Sequence, residues 1–109
     1  MKLNYYLLRA KQFKNKGNLS QSQKLLKAGI DAVGIDFDDR KYQLTFFDLI
    51  LELAEFYIHQ RVDSKKAIFL LKSLENRIPL NMKEISGIKR GIRWNLLMSD
   101  YFDMIVKNS

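Results

Sequence analysis

Apolar side chains recur along this chain at the spacing of helix faces. In the first segment, Leu3, Leu7 and Ala10 lie three or four positions apart, which places them on one side of a helix. No stretch alternates with period two, and no Asn-Gly or Asp-Gly pair marks a hairpin of strands. We therefore expect an all-α fold of five helices, at about 2–16, 21–33, 40–60, 65–77 and 82–107.

Residues that stop or cap helices stand between these segments. Gly17-Asn18 should end the first helix, and Ser20 with Gln23 should form a capping box at the start of the second. Asp63 or Ser64 should start the fourth helix. The remaining predicted ends are Gly34, Pro79, and Asn81 with Glu84. The third segment is apolar almost all round, so its helix should be packed on several sides.

Three aspartates precede the third helix. A run such as Asp36, Asp38 and Asp39 suggests calcium, but Lys41 stands where an EF-hand loop needs glycine for its sharp turn. Carboxylates at this place also cap a helix and interact favourably with its positive N-terminus. The sequence favours this second interpretation, and no metal site is expected.

The order of large and small residues repeats along the chain. The first copy has Tyr6, Ala10, Phe13, Gly17, Ser22, Leu26 and Gly29; the second has Ile50, Leu53, Ala54, Tyr57, Ala67, Leu71, Leu74 and Pro79; the third is the half copy Trp94, Leu97, Met98 and Tyr101. This order resembles the tetratricopeptide repeat, in which small residues let two antiparallel helices lie close. The copies are 44 residues apart, at Ala10, Ala54 and Met98, instead of the family's 34. The second turn has Arg61-Val62 in place of glycine and is one residue longer.

The resemblance implies two stacked antiparallel hairpins, at 2–34 and 40–79, and a C-terminal capping helix at 82–107, in one domain over 1–109. A simple five-helix bundle would show similar apolar faces and is the alternative. About three repeats are usually needed for a stable stack. The last helix should therefore act as a cap, or a second copy of the chain should supply the missing half. Trp94, Phe102 and Met104 are candidates for such a homodimer interface.

The resemblance also implies where a partner would bind. In this family the first helices of successive hairpins line a groove that holds a peptide or helix. By position, the groove residues here would be Lys11, Lys14, Asn15, Leu51, Glu55, Ile58, His59, Asn95 and Phe102. Leu7, Lys11 and Ile92 stand where some members carry the lysines and asparagines that clamp a C-terminal carboxylate. We therefore predict a protein-interaction module, such as an adaptor, chaperone or regulator, without that type of capture.

Charge leaves a second function open. The net charge is +7, and residues 1–28 contain seven basic side chains and no acidic one. Lys89, Arg90 and Arg93 precede Trp94, so a basic helical nucleic-acid-binding protein is the alternative. There is no cysteine, and His59 is the single histidine, so we expect no catalytic site and no cofactor. The apolar run after Met1 is too short for a signal peptide. A cytoplasmic protein without membrane insertion is expected.

Overall fold

A computed structural model describes residues 3–32, 40–75 and 85–108, and these residues are all-α. Within those ranges there are five helices and no strand, which confirms the expected fold class. The helices are α1 (Leu3–Asn15), α2 (Leu19–Asp31), α3 (Arg40–His59), α4 (Ser64–Ser73) and α5 (Ile85–Asn108). The predicted boundaries at Gly34, Pro79 and Asn81–Glu84, and the run Asp36–Asp39, lie outside the described residues.

The chain divides into two compact units. They comprise Met1–Ile50 and Leu51–Ser109, so the division falls inside α3. The first unit contains the hairpin of α1 and α2, and the second contains the end of α3 with α4 and α5. The single domain over 1–109 stays a prediction.

Small residues bring the helices of the first unit together. The Ser22 hydroxyl on α2 donates a 2.7 Å hydrogen bond to the Ala10 carbonyl on α1, and both residues are buried. A Cβ atom placed on Gly29 would lie 2.9 Å from the Tyr6 Cβ and 3.1 Å from a Leu49 methyl group. The predicted role of these small residues in close helix packing is confirmed, because Ala10 and Ser22 are buried in contact with each other and Gly29 has no room for a Cβ atom.

The second unit is packed in the same manner. Ala54 on α3 and Ala67 on α4 are completely buried, as the repeat pattern predicts. The Trp94 indole on α5 donates a 2.7 Å hydrogen bond to the Leu71 carbonyl near the end of α4. That carbonyl lies in the last turn of α4, where it also accepts a 3.2 Å bond from Leu74 N. Trp94 therefore joins α4 to α5.

The turns of the two hairpins share one backbone motif. At the end of α1, Asn18 N donates to Phe13 O and Gly17 N donates to Lys14 O. At the end of α3, Val62 N donates to Tyr57 O and Arg61 N donates to Ile58 O. These are the paired bonds of a Schellman motif, which requires a left-handed residue after the helix. The residue is Gly17 (φ 81°) in the first turn and Arg61 (φ 54°) in the second.

The N-caps follow directly after these motifs. Asn18 caps α2 by accepting a 3.2 Å bond from Gln21 N, so the predicted cap at Ser20 is wrong. Asp63 caps α4 by accepting a 3.1 Å bond from Lys66 N, as predicted. Asp63 itself has a left-handed backbone (φ 47°). The extra residue between Arg61 and Asp63 accounts for the longer second turn.

Three polar contacts, one in the first unit and two in the second, share one sequence offset. In the first unit the Thr45 hydroxyl donates to the Asn4 amide oxygen at 3.0 Å. In the second unit Arg93 contacts Glu52 and Asp100 contacts His59. All three pairs are 41 residues apart. The two pairs in the second unit both advance by seven residues, so α3 and α5 run parallel there.

Candidate interaction surface

The predicted groove residues lie in both units and differ in exposure. Lys11, Lys14 and Asn15 are exposed on α1 in the first unit. In the second unit, His59, Asn95 and Phe102 are exposed, and Glu55 is half-buried. The Asn95 side-chain amide donates a 3.0 Å hydrogen bond to the Gly91 carbonyl of its own helix.

Two predicted groove residues belong to the core. The Leu51 side chain is completely buried and Ile58 is only 4% exposed. Leu51 is therefore closed to a partner, and Ile58 reaches the surface only slightly, where it lines a cleft. A substitution such as Ile58→Asp would therefore disturb the fold as well as any ligand site.

An ion-pair cluster links α3 to α5. Arg93 donates from Nη2 to Glu52 Oε1 at 2.8 Å and also to Glu55 Oε2. Burial lowers the pKa of the Arg93 guanidinium, but its hydrogen bond to Glu55 and the charges of Glu52 and Glu55 raise it by more, so the pKa lies above its ordinary value. Arg93 is thus held by two carboxylates and positions α5 against α3.

The three predicted polyanion contacts differ in how far they are available to a ligand. Arg93 is half-buried and its charge is matched within the fold. Arg90 is also half-buried and takes part in an interaction. Lys89 is exposed. The three basic residues therefore do not form one exposed patch.

A shallow cleft lies where α3 and α5 end. Its volume is about 310 Å³. His59 stands in it with Nδ1 3.7 Å from Glu55 and Nε2 3.8 Å from Asp100. The full lining is Ile58, His59, Arg61, Asp100, Asp103, Met104 and Lys107. The cleft brings together two predicted groove residues, Ile58 and His59, and offers charges of both signs around a small apolar floor.

Helix α5 also carries an exposed apolar face that the repeat pattern did not single out. Six of the ten exposed large hydrophobic side chains among the described residues lie on this helix. At 100° per residue, five of them fall within roughly 120° of arc. We call these five the α5 apolar face: Ile88, Ile92, Leu96, Phe102 and Val106. The sequence feature that indicates this face is the four-residue spacing of Ile88, Ile92 and Leu96.

The candidates for a homodimer interface divide between core and surface. Phe102 is 55% exposed and belongs to the α5 apolar face. Met104 is buried, and Trp94 is half-buried and bonded to Leu71. Only Phe102 of the three is thus open to a partner.

Comparison with known proteins finds no relative of this chain. The chain matches no family model, no curated protein and no solved structure. Among the described residues, no three histidines, aspartates or glutamates are grouped to hold a metal ion, and no helix is long and apolar enough to cross a membrane.

Proposed function

We propose that this chain is a tetratricopeptide-like protein-interaction module and that the α5 apolar face binds a helix of a partner protein. The observation that carries the proposal is the concentration of exposed apolar side chains on α5. Leu96 is 61% exposed and Val106 is 71% exposed. Exposed apolar side chains concentrated on one helix face are typical of interaction sites, and helical partners bind such faces through residues spaced three or four apart.

The helical hairpins support this proposal. Ala10, Ser22 and Gly29 pack the first pair of helices, and Ala54 and Ala67 are buried in the second. The 41-residue offset recurs in both units, as repeated stacking of a similar element would produce. In a repeat of this type, the first helix of a third hairpin packs against a second helix. Helix α5 corresponds to the first helix of a third hairpin. Its outer face would therefore pack against a helix of the partner.

The cleft beside α5 gives the partner a second point of contact. His59, Asp100 and Asp103 stand on its rim together with Arg61 and Lys107. An apolar stripe gives affinity, while neighbouring charges of both signs select the partner and its direction. In this proposal Glu55, His59, Asn95 and Phe102 remain binding residues, and Leu51 and Ile58 support them from the core. Lys11, Lys14 and Asn15 stay the proposed contacts of the first unit.

Site-specific photo-crosslinking tests the proposal. A photoreactive p-benzoylphenylalanine in place of Leu96 should form an adduct with a polypeptide in cells that naturally produce the protein. The matched control places the same group at Phe69, which is 73% exposed on α4 and outside the α5 apolar face. Adducts at position 96 and none at 69 support the function. Equal labelling at both positions, or none at 96, would contradict it, and an adduct with nucleic acid would favour the alternative.

A further inference from the structure

Along the helix axis, the residues of the α5 apolar face are spaced nearly symmetrically about Leu96. Ile92 precedes Leu96 by four positions and Phe102 follows it by six; Ile88 precedes it by eight and Val106 follows it by ten. Two such helices placed antiparallel, with a two-fold axis at Leu96, would bring Leu96 against its own copy. The same placement would bring Ile88 within about 3 Å, along the helix axis, of Val106 in the second copy.

One pair of opposite charges on α5 fits the same two-fold axis. Lys89 lies about 20° beyond Leu96, at the edge of the α5 apolar face, and Asp103 lies between Ile92 and Leu96, on the same side of the helix. Both residues are exposed. In an antiparallel helix pair, equal flanks of the two helices lie next to each other. A two-fold axis at Leu96 therefore places Lys89 of each chain opposite Asp103 of the other. The dimer contains this charge pair twice.

We infer that the occupant of the α5 apolar face is a second copy of this chain, bound in an antiparallel α5–α5 pair. A two-fold interface uses one patch twice and must be self-complementary. The spacing of the apolar residues along α5 and the charge pair of Lys89 and Asp103 both meet that condition. An asymmetric partner would not require either feature. This inference rests on the proposed function, since it names the partner of the same surface.

The mass of the purified protein in solution gives the first test. We expect light scattering or sedimentation to show a dimer, and Leu96→Lys to weaken the dimer at least about 100-fold. Leu96 is exposed in the single chain, so this variant should keep its helical circular dichroism. The control Phe69→Lys should leave the dimer unchanged. A wild-type protein that stays monomeric up to about 1 mM would overturn the inference.

Introduced cysteines test the direction of pairing, because the chain contains none of its own. Leu96→Cys should form a disulfide-linked dimer under mild oxidation. Ile88→Cys alone should not, because antiparallel pairing separates the two copies of residue 88 by about 24 Å. A mixture of Ile88→Cys and Val106→Cys chains should form the mixed dimer. Efficient linkage of Ile88→Cys to itself would show parallel pairing and overturn the inference.

A charge exchange tests the predicted register. Lys89→Glu and Asp103→Lys should each weaken the dimer about fivefold, because each change turns two attractions into repulsions. The double variant should recover an affinity within about twofold of the wild type. If the double variant is weaker than both single variants, the register is wrong.

The crosslinking experiment separates the two proposals. An adduct at position 96 with twice the mass of the chain supports both the interaction function and the second copy. An adduct with a different protein supports the function and overturns the homodimer.

Discussion

The two hairpin turns of this chain close the same motif with different residues. The left-handed residue after helix α1 is Gly17, which has no Cβ, and nothing lies within 4 Å of the place where one would be. After helix α3 the left-handed residue is Arg61, and Asp63 is left-handed as well. A residue with a side chain is disfavoured there by about 1–2 kcal/mol. The comparison shows that the backbone bonds define the turn, while glycine only makes it less costly.

The largest expected difference between the two hairpins lies in their helix packing, away from the turns. Gly29 in the first hairpin corresponds, by the repeat pattern, to the buried Leu74 in the second. We expect Gly29→Leu to lower the free energy of unfolding by about 3 kcal/mol, because the new side chain meets Tyr6 and Leu49.

Urea denaturation followed by circular dichroism measures this loss. The control Ala28→Leu, one residue earlier and exposed, should change stability by less than about 0.5 kcal/mol. Equal effects of the two substitutions would mean that α1 and α2 are not in close contact at Gly29.

The turn glycine should have the next largest effect. Gly17→Ala places a Cβ at φ 81° and should destabilise the protein by about 1.5 kcal/mol. Since there is open space around Gly17, the loss would come from backbone strain alone. Thermal or urea unfolding of Gly17→Ala beside Lys16→Ala measures it. A neutral Gly17→Ala variant would mean that the first turn tolerates side chains as the second does.

A substitution at the N-cap of α2 should have a smaller effect on stability, and it shows which of two polar residues is the cap. Asn18→Ala should cost about 1 kcal/mol because Gln21 N loses its acceptor. Ser20→Ala should be nearly neutral, since Ser20 is already inside α2. The urea midpoints of the two variants distinguish the two cap assignments. A less stable Ser20→Ala variant would support the capping box at Ser20 instead.

The smallest effect has the opposite sign. Arg61→Gly should stabilise the chain by about 0.7 kcal/mol, because glycine adopts the left-handed conformation without a Cβ penalty. The gain is limited, since glycine also increases the entropy of the unfolded chain. Differential scanning calorimetry should show a higher melting temperature. A lower one would mean that the Arg61 side chain stabilises the turn.

Sequence patterns predicted the helices more completely than the caps. The third helix is expected at 40–60 and spans Arg40–His59. A long apolar segment without turn residues can hardly form anything other than one buried helix. Asn18 and Ser20 are both good caps by chemistry. The choice between them depends on the Schellman bonds, which make Asn18 the residue after the left-handed glycine. Such tertiary and backbone detail is not visible in spacing alone.

The candidate site was less predictable for a physical reason. A helix that is apolar all round gives no indication of which side is covered most, so the repeat pattern places Leu51 and Ile58 in an open groove although they are buried. Arg93 was grouped with Lys89 by sequence, yet its charge is matched by Glu52, which is 41 residues away. By contrast, the spacing of Ile88, Ile92 and Leu96 is visible in the sequence.

The single tryptophan gives this protein a built-in optical probe of only one region. Trp94 is bonded to Leu71 within the second unit, so its emission should respond when α4 and α5 separate. Far-ultraviolet circular dichroism instead sums over the helices of both units. Coinciding melting curves from the two signals would show that residues 1–50 and 51–109 unfold as one cooperative system. Displaced curves would give each unit its own transition, without any label being added.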